Sequence, residues 1–228
     1  PASTLFQLLR YWRAIVFVEN NQWDEGQRLL LQLLQEELHP HLHMRVLNVL
    51  AIASEHLGLL TRAFAQYTQT IHLAAQRDDW PFWAKVVKNR MSCMIRLYES
   101  GQLAATNLAT GRQELEQAIA INARLGNQWE EGQGWNELGI SYKATAQWPQ
   151  ALTCYEKELY LCQATADQHG IAAASNNIGE ALVAQHQSAA AEPWLTAAAA
   201  GFAAEADPYE QADALTNLGR ALAAQGKV

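Results

Sequence analysis

A short pattern recurs three times in the C-terminal half of the chain with a constant period of 40 residues. The copies are Trp135–Gly139, Ser175–Gly179 and Leu215–Gly219, and each ends in Leu or Ile followed by Gly. A fixed period of this length is typical of proteins that stack one supersecondary unit many times. Each unit of such an array contacts mainly its neighbours. The sequence therefore predicts a repeat array, a class of protein that usually binds other molecules.

The composition indicates that the repeated unit is helical. Half of the 228 residues are hydrophobic, whereas Pro and Gly number only 6 and 13. Ala, Leu and Gln, which favour helices, are abundant. Runs of β-branched residues that alternate with polar ones, the usual sign of a half-buried strand, are absent. We therefore expect an all-α fold.

The best-defined repeat begins near Trp129 and contains two helices. Its first helix has a stripe of residues with the spacing i, i+3, i+4 and i+7: Trp135, Leu138, Gly139 and Tyr142. Pro149 follows at a position that suits the first turn of a second helix, which carries Ala151 and Tyr155. Small residues at 139 and 151 allow the two helices to approach closely. This pattern, W-x2-L-G-x2-Y followed by A-x3-Y, resembles the signature of the tetratricopeptide repeat.

Weaker copies of the same pattern extend through the chain. The small residue of the first helix falls at Ala14, Ala51, Met94, Gly139, Gly179 and Gly219, and that of the second at Gly26, Ala63, Gly111, Ala151 and Ala191. The predicted units are about 4–38, 42–76, 80–125, 129–165, 168–204 and a partial unit at 208–228. We expect the third unit to hold about five extra residues around Leu103–Thr110, in a longer loop.

The resemblance implies a right-handed α-solenoid of about five antiparallel helix pairs plus one extra helix, forming a single array over residues 1–228. The sequence begins and ends within repeats, so we expect it to be a fragment of a longer protein. The 40-residue period is similar to that of kinesin light chains and of bacterial signalling and regulator arrays.

In such arrays the first helices line a concave groove for an extended peptide or a partner helix. An asparagine just before the Leu-Gly pair commonly contacts the peptide backbone, and Asn177 and Asn217 match that position. Glu137, Ser92, Val49 and Trp12 replace it in the other units, so a polar groove is expected mainly at the C-terminal end. The predicted binding residues are Asn136, Glu137, Lys143, Asn176, Asn177, Glu180, Asn217 and Arg220. In the alternative interpretation, the asparagines only tie neighbouring helices together.

Charge and hydropathy disfavour two classes of partner. The net charge is −7 and the 16 Lys and Arg residues form no cluster, so we expect no nucleic-acid binding by this segment. No apolar stretch is long enough to span a bilayer, and no signal peptide opens the chain, so we expect no membrane association. Cys93, Cys154 and Cys162 lie within helical patterns and indicate small buried residues in a reducing, cytoplasmic compartment.

Other motifs favour structural roles. His39, His41 and His43 alternate, but a helix brings two imidazoles together only at i, i+4 spacing, so no metal site is predicted. The aromatic segment Trp80–Trp83 is expected to cover a step between repeats, although an interface role remains open. Trp129, His169 and Tyr209 recur with the 40-residue period and are expected to pack between repeats.

No phosphate loop, nucleophile elbow or zinc-protease motif occurs, so we expect neither catalysis nor a cofactor. The predicted function is a protein- or peptide-binding scaffold, as the sensor or adaptor module of a multidomain, bacterial-type signalling protein. One alternative is a small-molecule-responsive array of a transcription activator or NTPase. The other is a structural spacer or self-association unit. The oligomeric state is left open.

Overall fold

The structure is a computed structural model that describes residues 4–227, which form eleven α-helices and no β-strand within that range. Five consecutive helix pairs are followed by one further helix. They are α1 (Thr4–Glu19) and α2 (Trp23–Leu33), α3 (Pro40–His56) and α4 (Leu60–Ala75), α5 (Trp80–Glu99) and α6 (Ala105–Arg124), α7 (Gln128–Ala144) and α8 (Trp148–Thr165), α9 (Gln168–Ala184) and α10 (Ser188–Ala204), and α11 (Pro208–Ala224). The predicted all-α fold of five pairs plus one helix is confirmed.

The chain divides into two compact units, with the boundary after Ala118 inside α6. The N-terminal unit contains α1 to α5 and most of α6, and the C-terminal unit contains the end of α6 and α7 to α11. From α1 to α5 in the N-terminal unit, and from α7 to α11 in the C-terminal unit, each helix packs against the next one in the sequence. First helices also contact each other: α1 contacts α3, and α9 contacts α11.

Glycine in the first helices permits close packing of the second helices. A Cβ atom on Gly139 would lie 2.4 Å from Cε1 of Tyr155, and one on Gly179 would lie 2.4 Å from Cγ of Leu195. Carbon atoms in van der Waals contact are about 3.5–4.0 Å apart, so neither position has room for a side chain. Gly139 and Gly179 are therefore packing residues, as predicted, whereas Gly219 of the third copy has open space around it.

Identical turns give the C-terminal unit its regular period. A residue with positive φ occurs every 20 positions, at Gly126, Ala146, Ala166, His186, Ala206 and Gly226. The following residue donates its backbone N–H to the carbonyl five residues back, as Asp167 does to Cys162 at 2.9 Å. This left-handed termination satisfies carbonyls at the end of a helix and turns the chain sharply. Because each turn is the same, the first helices begin in equivalent positions.

The third pair differs from the sequence prediction. Asp79 caps the N-terminus of α5, 40 positions after His39 before α3. Counted from the start of the helix, the equivalent of Ala51 is Met91. Counted from the left-handed turn residues Gly58 and Gly101, it is Met94, as predicted, because α5 is three residues longer than α3. Both methionines are buried. The expected loop at 103–110 is wrong, because α6 begins at Ala105. Leu108 is fully buried, so packing holds this segment in the helix.

The remaining structural predictions concern buried residues. All three cysteines are free and buried, and burial raises the pKa of the Cys93 and Cys162 thiols to about 12. Phe82 and Trp83 are buried as well, which agrees with the packing role predicted for this aromatic segment. Among residues 4–227, no helix combines the length and apolar character needed to cross a membrane.

Candidate functional site

Three first helices of the C-terminal unit carry all the predicted site residues, and they begin in the same way. The side chains of Asn127, Asp167 and Asp207 precede α7, α9 and α11, and each accepts a hydrogen bond from the backbone N–H three residues on. Such caps satisfy N–H groups that lack a partner within the helix. Equivalent caps and equivalent turns place corresponding residues of the three helices at the same level.

The predicted asparagines pair between neighbouring helices. Nδ2 of Asn177 donates to Oδ1 of Asn136 at 3.2 Å, which joins α9 to α7. Nδ2 of Asn217 donates to Oδ1 of Asn176 at 3.2 Å, which joins α11 to α9. The alternative interpretation from the sequence, in which the asparagines tie helices together, therefore describes one part of their role.

The pair nearer the C-terminus is fully engaged. Asn176 donates to Oδ2 of Asp213 at 2.9 Å, and Arg220 donates to Oδ1 of Asn217 at 3.2 Å. Asn176 and Asn217 are each only 6% exposed. Buried amides are stable when their hydrogen bonds are satisfied, and here they are. These contacts place Asn217 and Arg220 in a network that links α9 to α11.

The pair formed by Asn136 and Asn177 retains free hydrogen-bonding capacity. Both side chains are partly exposed. Nδ2 of Asn136 and Oδ1 of Asn177 form no hydrogen bond with any residue in the described range 4–227. An asparagine amide both donates and accepts, so the pair presents one donor and one acceptor to its surroundings.

The other predicted residues are charged and partly buried. Nζ of Lys143 lies 2.9 Å from Oε2 of Glu180, and this ion pair joins α7 to α9. Glu137 precedes Leu138 on α7 and raises the pKa of the nearby Glu158 by charge repulsion. The structure thus places Lys143 and Glu180 between helices, as it does Asn217 and Arg220.

A pocket of about 540 Å³ lies beside the open asparagine pair, within the C-terminal unit. It brings together three predicted residues, Asn136, Asn176 and Asn177. The other lining residues were not predicted as a site: Trp129, Gln133, Ile140, Glu158, Asp167, His169, Gly170, Ala173 and Glu210. Lys143, Glu137, Glu180, Asn217 and Arg220 are not part of this lining.

The aromatic residues that recur every 40 positions do not all pack between repeats. Tyr209 is 82% exposed and Trp129 is 54% exposed. His169 contacts the ring of Phe202, with 5.5 Å between ring centroids, and also lines the pocket. The packing role predicted for this set is therefore wrong for Trp129 and Tyr209, because a period fixes the level of a residue in the array but not its burial.

Glu158 is the lining residue with the most unusual environment. It is 1% exposed, and its Oε2 atom has no hydrogen-bond partner within residues 4–227. Burial, together with the negative charges of Glu137 and Asp167, raises its pKa to about 8. The sequence offered one signal, because Glu158 lies seven residues after Ala151, at a level where a second helix faces the interior.

The register counted from the start of α5 adds an asparagine to the predicted set. In this register Asn89, and not Ser92, is the equivalent of Asn177 and Asn217 in α5. Its Nδ2 lies 3.5 Å from Oδ1 of Asn48 in α3, so the N-terminal unit has the same type of pair. A polar first-helix face is therefore not limited to the C-terminal end, as the sequence had indicated.

No group of three or more metal-binding side chains occurs within residues 4–227. The rings of His39 and His41 stack on each other, with 5.5 Å between centroids.

The comparisons with known proteins agree with this architecture. Residues 130–204 match the family model of the tetratricopeptide repeat, which confirms the resemblance predicted from the sequence. No curated protein matches the sequence significantly.

Three solved structures are similar in fold. A Signal Transduction ATPase with Numerous Domains (STAND) protein with a tetratricopeptide repeat sensor, from Pyrococcus horikoshii, aligns over 94% of this chain with a TM-score of 0.78 and 14% identity. This chain spans 32% of the length of that protein. A Podosopora anserina protein with nearly identical TPR-like repeats, assigned to the kinesin light chains, aligns over 90% of this chain and 99% of its own, with a TM-score of 0.70 and 18% identity.

The third structure is that of NprR in complex with its cognate peptide NprX. It aligns over all of this chain and 67% of its own length, with a TM-score of 0.68 and 13% identity. At these identities the three structures establish the fold alone.

Proposed function

We propose that this array of tetratricopeptide-type helix pairs is a protein- or peptide-binding module, the sensor or adaptor part of a larger signalling protein. The ligand lies against the first helices of the C-terminal unit, beside the pair formed by Asn136 and Asn177. The observation that carries the proposal is the free donor and free acceptor of this pair at a pocket of about 540 Å³.

The chemistry of the pair suits a peptide main chain. Each peptide unit offers one C=O acceptor and one N–H donor. The Nδ2 of Asn136 and the Oδ1 of Asn177 can bind both groups at once, whatever the peptide side chains. The hydrogen bond between the two asparagines holds the amides in position before binding, which lowers the entropy lost when a ligand is captured.

Aromatic surface lies beside these polar groups. Trp129, which is 54% exposed, lines the same pocket. Trp is common among the residues that dominate binding energy at interfaces. The fold similarity to NprR bound to its cognate peptide, and to a STAND protein with a repeat sensor, supports this class of function.

The alternatives rest on different observations. The pocket has the size of a small-molecule site, for which roughly 300–1,000 Å³ is usual. This favours a metabolite-responsive array as the second candidate. A spacer role is favoured by the engaged pair Asn176–Asn217, but it leaves the open pair Asn136–Asn177 without a purpose. In this proposal the protein has no catalytic role.

A phage-displayed library of random peptides, selected on the immobilised protein, tests the proposal. We expect selected peptides to bind the double variant Asn136→Ala with Asn177→Ala about thirtyfold more weakly, because two hydrogen bonds of about 1 kcal/mol each are lost. Asn107→Ala, an exposed change on α6, is the control and should leave affinity unchanged.

The proposal is overturned if the library yields no binding peptide. It is also overturned if the folded double variant, checked by circular dichroism, binds the peptides as the unchanged protein does. A metabolite that raises the melting temperature, in the absence of any peptide binding, would favour the small-molecule alternative.

A further inference from the structure

One buried position of the second helices differs in a single repeat. Seven residues after the small residue of each second helix lies a buried side chain: Leu33 in α2, Thr70 in α4, Ala118 in α6, Glu158 in α8 and Ala198 in α10. Four of these are apolar or carry a hydroxyl. Only α8 has a carboxyl group there, so the repeat fold does not require one.

One oxygen of the Glu158 carboxyl group has no hydrogen-bond partner. Glu158 is 1% exposed, and its buried Oε2 atom accepts no hydrogen bond within the described chain. A buried polar group without a partner destabilises a fold, and a buried charge does so more strongly. A ligand that supplies a donor or a positive charge would remove this penalty.

The surroundings of Glu158 favour a positive charge. The pocket that it lines also contains Asp167 and Glu210, whereas no lysine or arginine is among the described lining residues. Asp167 lies close enough to Glu158 to raise its pKa. The ion pair between Lys143 and Glu180 lies outside the lining.

We infer that the pocket binds a basic side chain, the guanidinium of arginine or the ammonium of lysine, from a peptide held by Asn136 and Asn177. Glu158 is its buried counter-ion, with Asp167 and Glu210 as further acidic groups at the same pocket. This inference rests on the proposed function and adds the chemical class of the ligand. A charged hydrogen bond to Oε2 would satisfy the buried oxygen of Glu158 that accepts no hydrogen bond from residues 4–227.

An inorganic cation fits the site less well. Divalent ions take six or more oxygen ligands or a compact set of carboxylates. No such group of His, Cys, Asp and Glu side chains occurs in the part of the chain that the structure describes. A guanidinium needs only a planar pair of acceptors and room for its stem, which the pocket provides.

Binding of a basic side chain should release the proton of Glu158. The pKa of Glu158 is about 8 before binding, so near pH 7 most molecules carry the proton. Binding of a cation favours the carboxylate, so the proton leaves as the basic side chain enters. Affinity should then rise as pH increases from about 6 to about 8. The other titratable groups around Glu158 are Glu137 on α7, Asp167 before α9, Tyr155 and Cys162 on α8, His169 on α9 and Glu210 on α11.

The peptides selected on the unchanged protein provide the test. We expect arginine or lysine to be enriched at one position among them. For a synthetic copy of the tightest peptide, replacing this arginine by citrulline, its neutral analogue, should weaken binding about tenfold. On the Glu158→Gln variant the two peptides should bind equally.

Glu156→Gln is the matched control, since it makes the same change on the exposed side of α8. It should leave the difference between the arginine and citrulline peptides intact. Titration calorimetry in two buffers of different ionisation enthalpy should show proton release at pH 7 for the unchanged protein and none for Glu158→Gln. If circular dichroism shows that Glu158→Gln is unfolded, Glu210→Gln replaces it and should reduce the difference between the peptides.

The outcomes separate the two proposals. Selected peptides without a preferred basic residue would overturn the inference and leave the peptide-binding function standing. So would equal affinity of the arginine and citrulline peptides on the unchanged protein. Failure to select any peptide would overturn the proposed function and the inference with it.

Discussion

Two equivalent tyrosines, one in each unit, lie in the same kind of site but have different partners. Tyr67 of α4 and Tyr155 of α8 are both almost fully buried. The hydroxyl of Tyr67 donates to Oε2 of Glu55 at 3.0 Å, whereas the hydroxyl of Tyr155 has no hydrogen-bond partner in the described part of the chain. The residue that corresponds to Glu55 in the C-terminal unit is Lys143, which pairs with Glu180 instead.

The same helix pair can therefore hold buried polar groups that are hydrogen-bonded to each other or buried polar groups that lack partners. In the N-terminal unit, Glu55 accepts from both Tyr67 and Arg96. In the C-terminal unit, the Tyr155 hydroxyl and Oε2 of Glu158 both lack hydrogen-bond partners among residues 4–227. Satisfied networks stabilise a fold, whereas unsatisfied buried groups cost free energy. The first network therefore stabilises its unit, and the second is where we propose that a ligand binds.

The largest expected effects are those of Glu158→Gln and Glu55→Gln on the free energy of unfolding, and they have opposite signs. The folded pKa of Glu158 is about 8, above the value of 4.5 for an unperturbed glutamate, so the folded state holds its proton more tightly. Its stabilising contribution is complete below about pH 4.5 and is lost as pH rises through about 8. Glu158→Gln should therefore match the unchanged protein at low pH and exceed it by about 4 kcal/mol at pH 9.

Glu55→Gln provides the contrast and should lower the free energy of unfolding by about 2 kcal/mol, because it breaks hydrogen bonds to Tyr67 and Arg96. Urea denaturation followed by circular dichroism measures both variants across pH. A Glu158→Gln variant less stable than the unchanged protein at pH 9 would mean that the carboxylate has a partner, and the comparison would fail.

The second effect concerns the residue that faces each tyrosine. Ala51 in α3 and Gly139 in α7 are equivalent, but only Gly139 has no room for a Cβ atom, which would lie 2.4 Å from Tyr155. Gly139→Ala should destabilise the protein by about 2–3 kcal/mol through overpacking. Gly219→Ala, with open space around the new Cβ, should stabilise it by about 0.5–1 kcal/mol through helix propensity.

The melting temperatures of Gly139→Ala and Gly219→Ala, each compared with that of the unchanged protein, test this prediction. Equal shifts would show that Tyr155 moves aside easily, so that the packing of α7 on α8 is looser than the distances indicate.

The smallest effect concerns the hydroxyl groups themselves. Tyr67→Phe should destabilise the protein by about 1.5 kcal/mol, because Glu55 loses a donor in a buried site. Tyr155→Phe removes an unsatisfied hydroxyl and should be neutral or slightly stabilising. Comparing urea midpoints under identical conditions tests the pair. If Tyr155→Phe is as destabilising as Tyr67→Phe, the hydroxyl of Tyr155 has a partner and the C-terminal network is closed.

Part of the candidate site was predictable because it repeats. Asn136, Asn176 and Asn177 follow the period, and the structure places all three at one pocket. Asn89 was missed because α5 is three residues longer than α3, so that the repeat pattern near the end of α5 does not give the register of its first turns. Glu158 was missed because the predicted site was confined to first helices, although its position seven residues after Ala151 is a buried level in every second helix.

The sequence by itself determined the helix pairs, the 40-residue period and the close contacts at Gly139 and Gly179. These are local or nearest-neighbour properties, which recur in every repeat and so leave a periodic trace. The tertiary structure alone decided which polar atoms are left without partners. Whether Glu158 or Asn136 is satisfied depends on side chains from other helices, and those contacts follow from packing that no single repeat contains.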